Sequence, residues 1–186
     1  MSQIKPDSNA KLAEKIAKDA GVVPSECYQC GKCSAGCPMA HAMDLQPREV
    51  VRCLQLGDAD KLLNSKTIWL CAACHVCVDR CPNTIDIPSL NEHARFEAKK
   101  KKICAVKEVD RFNDIFIQNI KLFGKSQEAI LEGAYNVVTG HLMQDMGSVP
   151  HMLRAGLIRP EVIHTVKDRD GVNRLIRAAE KEDAEC

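Results

Sequence analysis

The chain reads CYQCGKCSAGCP at residues 27–38 and CAACHVCVDRCP at residues 71–82. Each stretch holds four cysteines in the spacing C-x2-C-x2-C-x3-C, and a proline follows the fourth cysteine directly. An aspartate, an aliphatic residue and a proline come after each stretch, as Asp44-Leu45-Gln46-Pro47 and as Asp86-Ile87-Pro88. Because the loop and the segment after it recur together, the sequence predicts one structural unit built twice.

The cysteine spacing is typical of the ligands that hold [4Fe–4S] clusters in proteins with two such clusters. Three cysteines at i, i+3 and i+6 of a tight loop can wrap three corners of a cubane, while the fourth, made rigid by proline, points away. We therefore predict two crossed ligand sets. They are Cys27, Cys30, Cys33 and Cys81 for the first cluster, and Cys71, Cys74, Cys77 and Cys37 for the second. Two such clusters indicate a protein that moves electrons one at a time.

Other residues in the two stretches are expected to tune these clusters. Gly31 and Gly36 allow close backbone approach and positive φ, so that amide N–H groups can point at sulfur atoms. Lys32, His75 and Arg80 would place positive charge nearby. Hydrogen bonds and charge around a cluster set its reduction potential.

Composition narrows the class of protein. The 186 residues are 45% hydrophobic and 27% charged, which predicts one substantial folded domain or two small ones. A net charge of +1 lacks the basic surplus of a general nucleic-acid binder. Neither an apolar signal segment at Met1–Asn9 nor an apolar run of about 18 residues is seen. We therefore expect a soluble cytoplasmic protein without membrane insertion, whose eleven cysteines are metal ligands rather than disulfides.

Helical periodicity runs through most of the chain, and no alternating strand pattern is evident. The predicted helices run from a Ser8 cap to Gly21, Pro47 to Gly57, Asp58 to Leu63, Pro88 to the lysines at 99–102, Val106 to Phe123, 126–139 and 170–182.

The predicted fold is therefore all-α. An α-helical ferredoxin domain with two [4Fe–4S] clusters covers residues 20–103. A helical extension at 1–19 precedes it, and a helical region at 104–186 follows, which we expect to dock partner proteins.

Other metal chemistry fits the cysteines less well. Zinc binds C-x2-C pairs, but it usually combines two separated pairs in one tetrahedron. The segment Cys71-Ala72-Ala73-Cys74-His75 matches the C-x-x-C-H haem attachment pattern, but haem attachment normally follows export, and the cluster pattern continues beyond this segment. Three cysteines remain, namely Cys53, Cys104 and Cys186. Cys53 lies in a predicted helix and is expected to be a small buried hydrophobe.

The two cysteine stretches, the long helical insert between them and Trp69 resemble the C subunit of heterodisulfide reductase. The segment Leu122-Phe123-Gly124-Lys125-Ser126, with Glu128 after it, is also similar to that family. The helical ferredoxin domain is further similar to the one in the iron–sulfur subunits of succinate dehydrogenase and fumarate reductase. Those subunits also have an N-terminal plant-type domain, which is not recognisable in this chain.

The resemblance implies a place in a larger enzyme. In that family the C subunit relays electrons from the flavin-containing A subunit to the catalytic B subunit, which reduces the CoM-S-S-CoB heterodisulfide in methanogenesis. A hydrogenase or formate dehydrogenase associates through the A subunit. Related relay subunits serve other acceptors, so the final acceptor stays open. This chain also shows no nucleophile or acid–base set, which agrees with a non-catalytic subunit of an oxidoreductase. The rival interpretation is a non-redox assembly in which the clusters only hold the fold together.

Overall fold

The computed structural model describes residues 6–140, 147, 149–155 and 165–185, and the regular secondary structure among them is helical, with no strand. The predicted all-α class is therefore confirmed. The helices are α1 (Pro6–Asp19), α2 (Lys32–Ala35), α3 (Pro47–Gln55), α4 (Ala59–Leu63), α5 (Thr67–Leu70), α6 (Val76–Asp79), α7 (Ile87–Lys100), α8 (Lys107–Phe123), α9 (Glu128–Thr139), α10 (Val149–Arg154) and α11 (Arg169–Glu185). A 3₁₀ turn at Pro24–Glu26 precedes the first cysteine loop. The chain forms two compact units, Met1–Lys107 and Glu108–Cys186.

The core of the first unit is aliphatic. Helices α1, α3, α4 and α7 pack against one another, and α5 packs on α7. Their largest fully buried apolar side chains are Ile16, Val50, Val51, Leu62, Leu63, Ile68 and Leu90. Burial of each such side chain stabilises the fold by about 1.5–3 kcal/mol before the entropy of ordering is counted. The region between the two cysteine stretches thus forms the predicted helices, and it supplies the scaffold on which both stretches sit.

Helix α1 joins this core directly. Lys15 Nζ lies 2.6 Å from Glu97 Oε1 on α7, and Glu97 is only 8% exposed. The hydrogen bond to Glu97 raises the pKa of Lys15. Helix α1 therefore packs within the first unit. The predicted cap at Ser8 is wrong, because Ser8 lies inside the helix, which begins at Pro6; proline suits the first helical turn.

The helices that follow the cysteine stretches are both capped. In α3 the side chain of Glu49 accepts a hydrogen bond from Gln46 N at 2.7 Å, and Pro47 occupies the first position. In α7 the carboxylate of Asp86 accepts from Ser89 N at 3.0 Å. Each stretch is therefore followed by a helix with proline in its first turn, as the sequence repeat predicts, although α7 begins one residue before Pro88.

The second unit contains α9, α10, α11 and all but the first residue of α8. The ring of Phe112 contacts those of Phe116 and Tyr135, at 6.3 and 5.7 Å between centroids. Asn119, 4% exposed, accepts from Gln127 N and donates to Gln127 O, which closes the turn between α8 and α9. None of the helices within the described ranges combines the length and apolarity needed to cross a membrane.

Candidate iron–sulfur centres

The two cysteine loops have the same backbone conformation. Gln29 and Gly31 have φ of 56° and 79°, and the residues 44 positions later, Ala73 and His75, have φ of 48° and 58°. After these residues each loop closes into a one-turn helix, α2 or α6, and these two helices pack against each other. A four-residue helix is too short to leave a periodic pattern, so the sequence does not predict it. The repeat in sequence is thus also a repeat in structure.

Each loop borders a cavity, and each cavity is lined by four cysteines. Those of the first cavity are Cys27, Cys30, Cys33 and Cys81. Those of the second cavity are Cys71, Cys74, Cys77 and Cys37. The structure thus brings the fourth cysteine of each stretch to the first three of the other. Which thiolates bind which cluster stays a prediction. The four cysteines that line each cavity are the set that the crossed-ligand prediction requires.

Apolar side chains complete both cavities. Val51 and Ile85 line the first, and Met39 and Met43 line the second. Ile87, only 3% exposed, lines both of them. The two cavities are therefore adjacent, and the Ile87 side chain borders both.

Burial is uneven within each set of cysteines. The second cysteine of each stretch, Cys30 or Cys74, is exposed, whereas the third, Cys33 or Cys77, is buried. Burial raises the pKa of Cys33, and burial together with the nearby Cys71 charge raises the pKa of Cys77 to about 12. Iron binds the thiolate, so metal must displace these protons, and loading the centres releases them.

The residues present fit a cubane. Its four thiolates each bind a separate iron atom, so they surround a cavity instead of converging on one ion. Within the described ranges no three His, Cys, Asp or Glu side chains are close enough to share a single metal ion. Four cysteines around an apolar pocket are the donor set and surroundings that a [4Fe–4S] cluster requires.

The two glycines of the first loop have different roles. Gly31 has φ of 79°, as predicted, and precedes α2. Gly36 has φ of −102°, so of the two properties that glycine allows, positive φ is not the one used there. A Cβ on Gly36 would lie 2.6 Å from Cδ of Arg80, which comes from the second loop. Glycine at position 36 therefore makes room for the side chain of Arg80.

Asp44 joins the segment that follows the first loop to the segment that precedes the second loop. Its Oδ1 accepts hydrogen bonds from Leu45 N, Thr67 N and Thr67 Oγ1 at 2.9, 3.1 and 2.8 Å, and its Oδ2 accepts from Lys66 N at 2.9 Å. Burial would raise the pKa of Asp44, but these hydrogen bonds outweigh burial and hold the pKa below its usual value. Helix α5 begins at Thr67 and ends directly before Cys71. Asp44 thus fixes the segment that leads into the second loop.

The left-handed residues allow a paired test. A non-glycine residue at positive φ strains the backbone by about 1–2 kcal/mol. Replacing it by glycine removes this strain, but the greater conformational entropy of glycine in the unfolded state offsets part of the gain. We expect His75→Gly to raise the free energy of unfolding by about 0.5–1 kcal/mol. Gly31→Ala should lower the free energy of unfolding by about 1 kcal/mol, because alanine is strained at positive φ. No steric clash adds to this cost, since the new Cβ meets only Arg48 Nη1 at 3.8 Å. Thermal unfolding of the loaded protein measures both, and shifts of equal sign would contradict the loop equivalence.

The three remaining cysteines lie outside both cavities or outside the described residues. Cys53 is 4% exposed within α3, and burial raises its pKa, so it is the small buried hydrophobe that the sequence predicts. Cys104 is half-buried and packs on the core of the first unit. Cys186 lies outside the described residues.

Comparison with known proteins agrees with this geometry. Residues 26–86 match the 4Fe-4S dicluster domain family. The iron–sulfur C subunit of the CoB–CoM heterodisulfide reductase of Methanopyrus kandleri is 34% identical over 93 residues, which cover 50% of this chain and 48% of that protein. The C subunit of the H(2):CoB-CoM heterodisulfide,ferredoxin reductase of Methanothermobacter marburgensis is 31% identical over 96 residues, covering 52% of each chain.

A third relative is the C2 subunit of the H(2)/formate:CoB-CoM heterodisulfide,ferredoxin reductase of Methanococcus maripaludis, which is 36% identical over 101 residues, covering 50% of this chain and 54% of that protein. The chain spans about half the length of the curated relatives it matches. The resemblance seen in the sequence is confirmed over that shared part. The chain therefore contains a dicluster domain with two [4Fe–4S] clusters and, over about half its length, is homologous to the iron–sulfur C subunits of heterodisulfide reductases.

Proposed function

We propose that this chain is a non-catalytic, cytoplasmic electron-relay subunit of a heterodisulfide reductase complex. Its two clusters pass electrons from the flavin-containing A subunit to the catalytic B subunit, which reduces the CoM-S-S-CoB heterodisulfide. The observation that carries the proposal is the pair of four-cysteine cavities with Ile87 lining both. Two redox groups one side chain apart suit the transfer of electrons between them.

The arrangement of the cysteines supports transfer rather than bond-making chemistry. Each predicted ligand set supplies four thiolates, so no iron is left open to a substrate. When bound, each cluster supplies a site that takes up and gives back one electron. The protein's own residues hold the thiolates in place and exclude water. Buried Cys33, Cys77 and Ile87 form the inner wall, and exposed Cys30 and Cys74 lie at the surface.

The two exposed cysteines belong to different cavities, so each cluster would have one ligand at the protein surface. Cys30 lies beside Tyr28, which is 72% exposed, and beside the basic residues Lys32 and Arg48. Cys74 belongs to the other cavity. We propose that the donor approaches one of these exposed ligands and the acceptor approaches the other. We further propose that helices in 104–186 dock the A and B subunits, and that a hydrogenase or formate dehydrogenase supplies electrons through the A subunit.

The test is anaerobic purification of the complex followed by redox titration. We expect about eight iron atoms per copy of this chain and two clusters that reduce and reoxidise reversibly. The flavin-containing and catalytic subunits should both co-purify. Adding CoM-S-S-CoB to the dithionite-reduced complex should reoxidise both clusters. Clusters that cannot be reduced reversibly would instead support a purely structural role, and reoxidation only by another disulfide would change the acceptor.

A further inference from the structure

The two cavities differ at one structurally equivalent position. The helices that follow the loops begin at Pro47 and Ile87, and the fifth residue of each helix lines the adjoining cavity. That residue is Val51 in the first cavity and Asn91 in the second. Val51 is 0% exposed and Asn91 is 2% exposed. A buried amide therefore stands in the second cavity where the first has an aliphatic side chain.

This amide has an unsatisfied atom. Asn91 Oδ1 is buried and makes no hydrogen bond. A buried polar atom without a partner is destabilising, and native proteins rarely keep one without a reason. A half-turn of the amide exchanges its oxygen and nitrogen at almost no steric change, which puts two N–H donors where the oxygen stands. Inorganic sulfide and cysteine thiolate are acceptors without donors, so they match the amide in that orientation.

We propose that Asn91 donates a hydrogen bond to sulfur in the second cavity and thereby raises the reduction potential of the cluster held there. The inference rests on the proposed function in one respect, namely that a [4Fe–4S] cluster occupies the second cavity. Reduction adds one electron, and so one negative charge, while no bond in the protein forms or breaks. A hydrogen-bond donor stabilises the more negative state, whereas an aliphatic residue such as Val51 does not.

Two amides, Gln29 and Asn83, also line the first cavity, but both are engaged elsewhere. Asn83 Nδ2 donates to Glu26 O, and the contact of Gln29 with sulfur is weak. Gln29 Nε2 lies 3.6 Å from Cys27 Sγ, but also 3.2 Å from Arg48 O and 3.4 Å from Gln55 Oε1. Its hydrogens are thus divided among three acceptors in a partly exposed position. Asn91 is buried, and its Oδ1 position has no partner in the protein. An amide nitrogen placed there by the half-turn would therefore have no competing acceptor.

The test exchanges the two equivalent residues. Asn91→Val should make reduction of one cluster about tenfold less favourable, which for one electron corresponds to a shift of about 59 mV to lower potential. Val51→Asn should move the other cluster in the opposite direction. Potentiometric titration of the loaded protein under dithionite, followed by electron paramagnetic resonance, resolves the two clusters. Iron content is measured in the same samples.

The outcomes separate this inference from the proposed function. Full iron content with an unchanged potential in Asn91→Val overturns the inference alone, whereas wild-type protein that lacks two clusters overturns the proposed function. If both variants moved the same cluster, the assignment of Asn91 to the second cavity would be wrong. If Asn91→Val lost its cluster, Asn91→Ser, whose hydroxyl is too short to replace the amide, would be titrated. Wild-type protein should also show an exchangeable deuteron coupled to the second cluster in D2O, and Asn91→Val or Asn91→Ser should lack it.

Discussion

Cys81→Ala is expected to remove the cluster of the opposite loop and to spare that of its own. The loaded variant should contain about four iron atoms instead of about eight. The reason is geometric, since Cys81 lines the cavity of Cys27, Cys30 and Cys33. Under alkylation, those three thiols should become reactive, while Cys71, Cys74, Cys77 and Cys37 stay protected by iron. Peptide mapping of the alkylated protein reads this out residue by residue.

Two further variants make the experiment decisive. Cys37→Ala is the mirror case and should expose Cys71, Cys74 and Cys77, whose cavity it shares. Cys53→Ala is the control, because Cys53 is buried in α3 outside both cavities and should leave both clusters in place. Alkylation of Cys71, Cys74 and Cys77 in the Cys81→Ala protein would show that each loop holds its own cluster. The crossed arrangement would then be wrong.

The sequence predicts most of this architecture because its strongest signals are local. Eight cysteines at fixed spacing, prolines at helix starts and glycines at helix ends act over a few residues, and the long helices α3, α7 and α8 lie close to their predicted bounds. The crossing of the ligands is also predicted, because a proline after the fourth cysteine limits where that thiolate can point.

What the sequence does not show are relations between distant residues. Gly36 and Arg80 meet only because the two loops pack against each other, so the local sequence cannot show that glycine is needed at position 36 for close approach rather than for a positive φ. The equivalence of Val51 and Asn91 depends on where α3 and α7 begin relative to each cavity. The hydrogen bonds of Asp44 to Lys66 and Thr67 span more than twenty residues, so no local pattern reports them.

Asp44→Ala is expected to destabilise the first unit by about 2 kcal/mol and to speed loss of the second cluster. The carboxylate accepts three backbone N–H hydrogen bonds, and it shares the single hydroxyl proton of Thr67, which is 0% exposed, with Leu45 O. A hydrogen bond to a charged group contributes about 1.5–3 kcal/mol when it is shielded from water, but Asp44 is exposed, so water replaces much of what the mutation removes. Thermal unfolding and the decay of cluster absorbance under an iron chelator measure the two effects.

Asp58→Ala is the matched control for this prediction. Asp58 caps α4 through a single hydrogen bond from Lys61 N at 3.2 Å, and it lines neither cavity. Its removal should cost about 1 kcal/mol, typical of a helix cap, and leave both clusters equally resistant to the chelator. Asp44→Ala should also speed the loss of iron to the chelator, because α5 then loses its anchor and Cys71 directly follows α5. If the two variants lost iron at the same rate, Asp44 would be an ordinary stabilising residue and would not position the second cysteine loop.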